Sequence, residues 1–451
     1  MTRHPLLSRA ALGLALLFAA AQPAAAQSIL RDSETEALFA DATKPLVQAA
    51  GLNPRNVNVA LINDPEINAF VATGQTVYIQ TGLLEAADNA NQLQGVIAHE
   101  LGHVTAGDSI RAGEGMKQAT GISILSLVLG AAAMAAGGGE AAMGVMAAGQ
   151  QAALGNLLAF TRVQETSADL AGSRFLSGAG ISGKGSIAFF KKLQNQEYRL
   201  AIPQDDAYAR THPLSSDRIQ TLQAIYQKDP AWNRSTDPVL EARFQRVKAK
   251  LIGYLDPQRA TQLYPETDQS VPAHYARAYA YHQGAYLDKA VAEADALLRT
   301  APNDPYFNEL KGQILLESGK PKEALEPLRL AVRNAPDKPM IAVMLGHALV
   351  ETNDAKNMTE AKSVLKAAVN RDNDNPFAWY QMGVIYEHEG DEARASLATA
   401  ERSNLEGDAK LALTSARRAM AGLPQGTPDY LRAQDIAMVS ESAAKKGKKG
   451  R

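Results

Sequence analysis

The sequence predicts an α+β domain, mostly helical with a small sheet, followed by an all-α array of helical repeats. Two observations lead to this fold class. Residues 28–110 mix short strand patterns with amphipathic helices, whereas the chain from about 239 to 430 is almost wholly helical in pattern. Within that second part, similar segments recur at intervals of 34 residues, the spacing of stacked helix–turn–helix units.

The composition is that of an ordinary globular chain of 451 residues, with 46% hydrophobic and 21% charged residues. The formal net charge of -2 gives no overall basic excess, so we expect no nucleic-acid partner. The sequence has 8 His and no Cys, which excludes disulfides, thiolate metal sites and cysteine nucleophiles. Any metal ion must therefore be held by His, Asp or Glu.

Residues 1–26 have the pattern of a secretory signal peptide. Arg3 and Arg9 give a positively charged start, residues 10–21 are apolar, and three alanines at 24–26 form a small-residue cleavage site. The apolar run is too short to span a bilayer. We expect export to the bacterial periplasm, with an uncleaved N-terminal anchor as the alternative.

The predicted elements of the first domain begin with a helix over residues 33–50. Asp32 and Ser33 precede it, and Glu36 three residues after Ser33 completes a capping pattern. Alternating apolar residues then predict three short strands, and a long helical pattern follows them. These strands and the helix are expected at 57–62, 67–71, 75–81 and 83–108.

Residues 118–160 form an apolar segment rich in Gly, Ala and Met, without a charge between Lys117 and Glu140. Three interpretations stay open. The segment forms two helices that hide apolar faces against the domain, a lid or interfacial hairpin that contacts a membrane or a client, or a membrane-spanning helix. Its apolar centre at 122–136 is short for a span and is followed by three glycines at 137–139.

The second half of the chain resembles tetratricopeptide (TPR) repeats. Ala-Pro-Asn-Asp-Pro at 301–305 recurs as Ala-Pro-Asp-Lys-Pro at 335–339, and Gly312 and Gly346 have the same separation. Small residues at fixed positions allow the helices of one repeat to cross closely. The predicted order is a signal peptide at 1–26, the α+β domain at 28–229, a helical connector at 239–271, the TPR repeats at 272–430 and a basic tail at 431–451.

The strongest chemical signal is His-Glu-Leu-Gly-His at residues 99–103. On a helix, His99 and His103 lie one turn apart on the same face, so both imidazoles can bind one ion. Glu100 lies beside them and can hold a water molecule at that ion. The alternative is a buried helix with two hydrogen-bonded histidines, and unpaired burial of such groups is costly.

A catalytic zinc ion usually has three protein ligands, so a third ligand is expected from another helix. Glu165 is about 60 residues downstream, in Glu-Thr-Ser-Ala-Asp at 165–169. Asp169 follows it by one turn on the same face and is placed to orient a ligand histidine.

These residues resemble those of the gluzincin metallopeptidases, the family of HtpX and the CAAX prenyl proteases. The motifs that carry the resemblance are His-Glu-Leu-Gly-His, Glu165 with Asp169, and Thr-His-Pro at 211–213 with Arg218. Combined with the repeats, they resemble the BepA-type periplasmic zinc metallopeptidases. One departure is Thr-Ala-Gly-Asp at 105–108, where family members often carry a basic residue and a His; it is expected to alter the lid without affecting metal binding.

The resemblance implies one zinc ion per chain and a role for each site residue. Glu100 would be the general base, and Arg218 would either stabilise the oxyanion or anchor its loop by an ion pair. His212 is the candidate for an inhibitory fourth ligand, which would close the site until its loop moves. The implied zinc ligands are His99, His103 and Glu165.

Two functions are compatible with the sequence. The leading prediction is a periplasmic zinc endopeptidase that degrades misassembled outer-membrane proteins and assists their assembly, with the TPR part docking to assembly machinery or clients. The alternative is mainly a chaperone or adaptor with a latent, self-inhibited protease site. Residues 68–70 and 74–78 offer either an edge for extended substrate or ordinary sheet packing. Peripheral membrane contact is assigned to 118–160.

Overall fold

The computed structural model describes residues 29–72, 74–135, 139–200, 212 and 216–449. Its first domain contains a mixed β-sheet. The predicted signal peptide at 1–26 lies outside these residues. The sheet has the order β1-β2-β4-β3, with β2 and β4 parallel and the other pairs antiparallel. β1 and β3 are therefore its edges. The strands are Ile29–Leu30 (β1), Asn58–Ile62 (β2), Ala69–Val71 (β3) and Thr76–Gln80 (β4).

Helices surround this sheet. The long helix expected at 83–108 is wrong, because the chain breaks at Ala87 and restarts at Asn89, whose side chain accepts a hydrogen bond from the Gln92 backbone N–H. Gly107, with φ of 69°, ends the second piece in the left-handed conformation. The helices are Ser33–Ala49 (α1), Thr81–Ala86 (α2), Ala90–Ala106 (α3), Asp108–Ala135 (α4), Gly139–Ala179 (α5), Lys184–Leu200 (α6) and Ser216–Tyr226 (α7).

The core of this first unit lies between the sheet and the helices α1, α3, α5 and α6. The helix α3 runs through its centre, so the motif at 99–103 is buried on all sides. The core continues into the next helix, Pro238–Leu255 (α8), through Leu240, Phe244 and Val247. The first helix of the predicted connector at 239–271 therefore packs against the first unit.

The helices α4 and α5 form an arm, defined as residues 118–135 and 139–161. Several large apolar side chains of the arm are more than half exposed, including Ile124, Leu125 and Val128. The interpretation that the segment hides its apolar faces against the domain is therefore wrong. Among the described residues, no helix has the length and apolar character needed to span a membrane.

The remaining helices pair in sequence, and the predicted fold class is confirmed. Three of them start at Pro305, Pro339 and Pro376. The first two starts are separated by the predicted period of 34 residues, and the unit between the second and third starts is longer. After α8 the helices are Pro257–Leu263 (α9), Val271–Gln283 (α10), Leu287–Thr300 (α11), Pro305–Glu317 (α12), Pro321–Asn334 (α13), Pro339–Glu351 (α14), Ala355–Arg371 (α15), Pro376–His388 (α16), Glu392–Leu405 (α17), Ala409–Gly422 (α18) and Pro428–Lys449 (α19).

The expected basic tail begins later than residue 431. Residues 431–440 lie in α19, where Ala433 and Ile436 are buried against Ala412 and Ala416 of the preceding helix. This apolar stripe caps the repeat array and explains why the helix continues where charge alone suggested a tail.

Ion pairs join the repeats to the first unit. Arg246 contacts Glu34 at 2.7 Å and Asp304 at 2.8 Å, and Lys250 contacts Asp32 at 2.6 Å. These groups are mostly buried, so the contacts are little screened by water.

Candidate metal centre

The site is built around α3, which carries three of the predicted residues. Close helix crossings bring α5 against it. A Cβ atom at Gly102 would lie 2.6 Å from the Ala168 carbonyl oxygen, and one at Gly172 would lie 2.9 Å from the Ala98 carbonyl oxygen. Only glycine allows this approach, which places Glu165 beside the two histidines.

Four buried side chains converge on one point: His99, His103, Glu165 and His212. The Nε2 atoms of His99 and His103 are 3.2 Å apart, and Nε2 of His99 is 3.3 Å from Nδ1 of His212. The Glu165 carboxylate lies 3.0 to 3.4 Å from each of these three nitrogens. Bond lengths of about 2.0–2.1 Å around a tetrahedral zinc ion give ligand separations of about 3.4 Å, so the donor set fits such an ion.

The outer hydrogen bonds point the imidazole lone pairs inward. Nδ1 of His99 lies 3.0 Å from Asp169, and Nδ1 of His103 lies 2.8 Å from Asp108. Nε2 of His212 lies 3.2 Å from the Ala69 carbonyl oxygen, which can only accept. His103 and His212 therefore donate outward and present their other nitrogen to the centre, and the Asp169 carboxylate beside Nδ1 of His99 favours the same tautomer in that ring. Only a proton or a metal ion can satisfy these acceptors together with a carboxylate.

The electrostatics of the site favour a cation. Burial lowers the pKa of His99, but hydrogen bonds with Asp169 and Glu165 outweigh it and raise the pKa to about 8. Burial is likewise outweighed at His103, where Asp108 and Glu165 raise the pKa to about 10. The surrounding histidines hold the pKa of the Glu165 carboxyl well below its usual range despite burial. The centre therefore carries excess negative potential.

Glu100 is fully buried beside the cluster but is not part of it. Neither of its carboxylate oxygens makes a hydrogen bond within the described part of the chain. Nε2 of His212 lies 3.6 Å from its Oε1 atom. A buried carboxylate without hydrogen bonds is costly, and such groups are typical of sites that accept a proton or a ligand.

Arg218, at the start of α7, holds the acidic side chains of α5. Its guanidinium donates to Asp169 at 2.7 and 2.9 Å and lies 3.0 Å from Glu165. Of the two predicted roles for Arg218, these contacts favour an ion pair over an oxyanion contact. Residues 211 and 213–215 of the predicted Thr-His-Pro motif lie outside the described residues.

Sequence reasoning missed three contributors. Asp108 accepts from His103 and also from Gln164, whose Nε2 lies 3.1 Å from Oδ1. Phe190 packs edge-on against the His99 ring at 5.9 Å. The Ala69 carbonyl belongs to the edge strand β3. The position of Asp108 five residues after His103, following a helix-ending glycine, was the one local signal that could have identified it.

Part of the chain matches a known protein family and proteins of known name. Residues 30–226 match the profile described as Peptidase family M48. The beta-barrel assembly-enhancing protease of Escherichia coli K12 is 27% identical over 331 residues, covering 71% of this chain and 65% of that protein. The chain thus matches less than two thirds of the length of this relative. Metalloprotease LoiP of the same organism is 30% identical over 175 residues, covering 38% and 63%.

One of the solved structures that match part of the chain is a TPR protein. The TPR protein YrrB, whose title reports an unusual peptide-binding site, is 21% identical with a TM-score of 0.32, covering 39% of this chain and 92% of that chain.

Proposed function

We propose that the chain, whose residues 30–226 match the peptidase family M48 profile, is a zinc-dependent endopeptidase built on the buried donor cluster. The observation that carries the proposal is the convergence of three imidazole nitrogens and one carboxylate next to Glu100. This donor set contains no sulfur and suits zinc. The proposed ligands are His99, His103 and Glu165, with His212 as a fourth.

Glu100 is the proposed general base. When bound, a zinc ion supplies Lewis acidity toward the peptide carbonyl and toward water. The Glu100 carboxylate is within reach of the same space and has free acceptor oxygens, so it can take a proton from water there and return it to the leaving amine. Burial keeps bulk water from competing for that proton.

Asp169 and Arg218 act as positioning residues in this proposal. Asp169 fixes the tautomer of His99 through Nδ1, and Arg218 neutralises the excess charge of Asp169 and Glu165. Their role is to hold ligands in place rather than to contact substrate.

His212 is proposed to keep the resting site closed. Its Nδ1 lies in the ligand cluster, where a substrate carbonyl or a water molecule would otherwise bind, and its Nε2 contacts the carbonyl of Ala69 on the sheet edge. An extended substrate that pairs with β3 would meet the same edge. Opening would therefore require His212 to leave both positions.

Replacing His212 with Ala tests this closure. Cleavage of casein should rise at unchanged zinc content, because the fourth position becomes available. Unchanged cleavage would show that His212 does not limit access, and lower cleavage would make it a transition-state contact. Both results would remove self-inhibition from the proposal.

The proposed clients are misassembled outer-membrane β-barrel proteins in the periplasm. The name of the E. coli relative and the export pattern of residues 1–26 support this choice. The repeats at 272–430 are proposed to dock clients or assembly machinery on their concave face.

A chaperone or adaptor with a latent site is the second candidate, favoured by the fourth ligand His212. Glu100→Gln separates the two functions. In a peptidase, this variant keeps its zinc and loses turnover of a denatured β-barrel client. If the variant supports client turnover as well as the wild type does, the peptidase proposal fails.

A further inference from the structure

The arm exposes apolar side chains over an unusually wide surface. Within α4, five neighbouring positions from Ile124 to Leu129 carry large apolar residues that are 51–60% exposed. At 100° per residue these positions cover roughly 200° of the helix circumference. An amphipathic helix that docks in a protein groove presents a stripe of about 100°. The exposed residues are Ile124, Leu125, Leu127, Val128 and Leu129.

Small residues fill the contact between the two helices of the arm. Ala119, Ser126 and Ala153 are 6–8% exposed, and a Cβ atom at Gly149 would lie 1.9 Å from the Ser126 Cβ atom. A helix pair in water normally buries its large apolar residues in this contact. Small residues inside and large apolar residues outside are the arrangement of helices packed in lipid.

The charges of this region lie at the base of the arm. No charged residue occurs between Lys117 and Arg162 except Glu140. Arg111, Lys117 and Arg162 are exposed at the base, against one exposed acid, Glu114. Basic residues that border an apolar surface are complementary to anionic lipid headgroups.

We propose that the arm inserts peripherally into one leaflet of an anionic lipid bilayer. The apolar side chains enter the boundary between headgroups and acyl chains, and the basic residues at the base contact the headgroups. Lys117 lies nine residues after Asp108 on one helix, so the headgroup contact lies about 14 Å along α4 from Asp108, which contacts His103 of the donor cluster. The arm would hold the candidate metal centre close to the membrane surface. This inference does not depend on peptidase activity.

Vesicle sedimentation of the purified chain tests the proposal. The chain should sediment with vesicles of phosphatidylethanolamine and phosphatidylglycerol, and less with phosphatidylcholine vesicles. Leu125→Gln combined with Val128→Gln should weaken binding by about tenfold or more, because two apolar side chains no longer enter the lipid. The matched control, Val239→Gln with Leu263→Gln, removes equally exposed apolar residues on α8 and α9 and should bind as the wild type does.

A second pair of variants tests the charges and the point of insertion. Lys117→Gln with Arg162→Gln should weaken binding to anionic vesicles by about fivefold per residue. A tryptophan at Leu127 should be quenched by brominated lipid, and one at Val239 should not. The proposal is overturned if the wild type does not sediment, if the control pair loses as much binding, or if Leu127→Trp is not quenched. Arm variants that abolish only self-association would assign the surface to a second copy of the chain.

Discussion

Replacing Asp108 tests whether the outer hydrogen bonds set the metal affinity. The Asp108 carboxylate accepts from Nδ1 of His103 at 2.8 Å and from Gln164 at 3.1 Å, and it is buried. Asp108→Asn keeps an acceptor oxygen but removes the charge. A hydrogen bond to a charged group contributes about 1.5–3 kcal/mol and a neutral one about 0.5–1.5 kcal/mol. The expected loss is therefore about 1–1.5 kcal/mol, or roughly five- to twelvefold in zinc Kd.

Asp108→Ala removes the acceptor entirely and leaves a buried N–H of His103 without a partner. We expect its zinc Kd to rise by about 100-fold, near the upper range for such outer contacts. Competition with a chromophoric chelator measures both values. Glu114→Gln is the control, since it removes an exposed acid of the same helix that contacts no proposed ligand. Kd values within twofold of the wild type for both Asp108 variants would refute the reasoning, as would an equal loss in Glu114→Gln.

Two further predictions concern stability. A Cβ atom at Gly346 would lie 2.4 Å from Cγ of Leu365, whereas one at Gly383 would lie 3.6 Å from Ala398. Gly346→Ala should therefore lower the free energy of unfolding, measured in urea, by about 1–3 kcal/mol, and Gly383→Ala should not. Equal effects of the two substitutions would contradict close packing of the repeats. Burial, with Asp32 and Glu34 nearby and Lys250 opposing them, raises the pKa of Glu309 from 4.5 to about 8. The folded state thus keeps a proton that the unfolded chain loses, so stability falls as the pH rises from about 4.5 to about 8. Glu309→Gln should flatten this dependence of the melting temperature on pH. An unchanged dependence would show that Glu309 is not its source.

The sequence predicted the features that depend on residues close together in the chain. The four-residue separation of His99 and His103 places them on one face of any α-helix, so the pair was predicted without a structure. The strands β2 and β4 and the first helix were likewise predicted from alternation and capping. The recurrence of Gly312 and Gly346 indicated the repeats, because close crossings need a small residue at the same position of each unit.

The remainder depends on contacts between distant segments. The break at Ala87 was missed because apolar residues continue through it, and the Asn89 cap became apparent only in three dimensions. Arg218 was assigned two roles since the sequence does not show that Asp169 and Glu165 share its guanidinium. The exposure of the arm was open for the same reason, because composition does not tell which face of a helix finds a partner.

The central claim is that the buried donor cluster holds one zinc ion on which peptide cleavage depends. The most direct measurement is the metal content and the casein cleavage of one protein sample before chelation, after chelation, and after zinc is added back. We predict one zinc per chain with cleavage, then neither zinc nor cleavage, then recovery of both. Cleavage that persists in the metal-free sample would contradict the account.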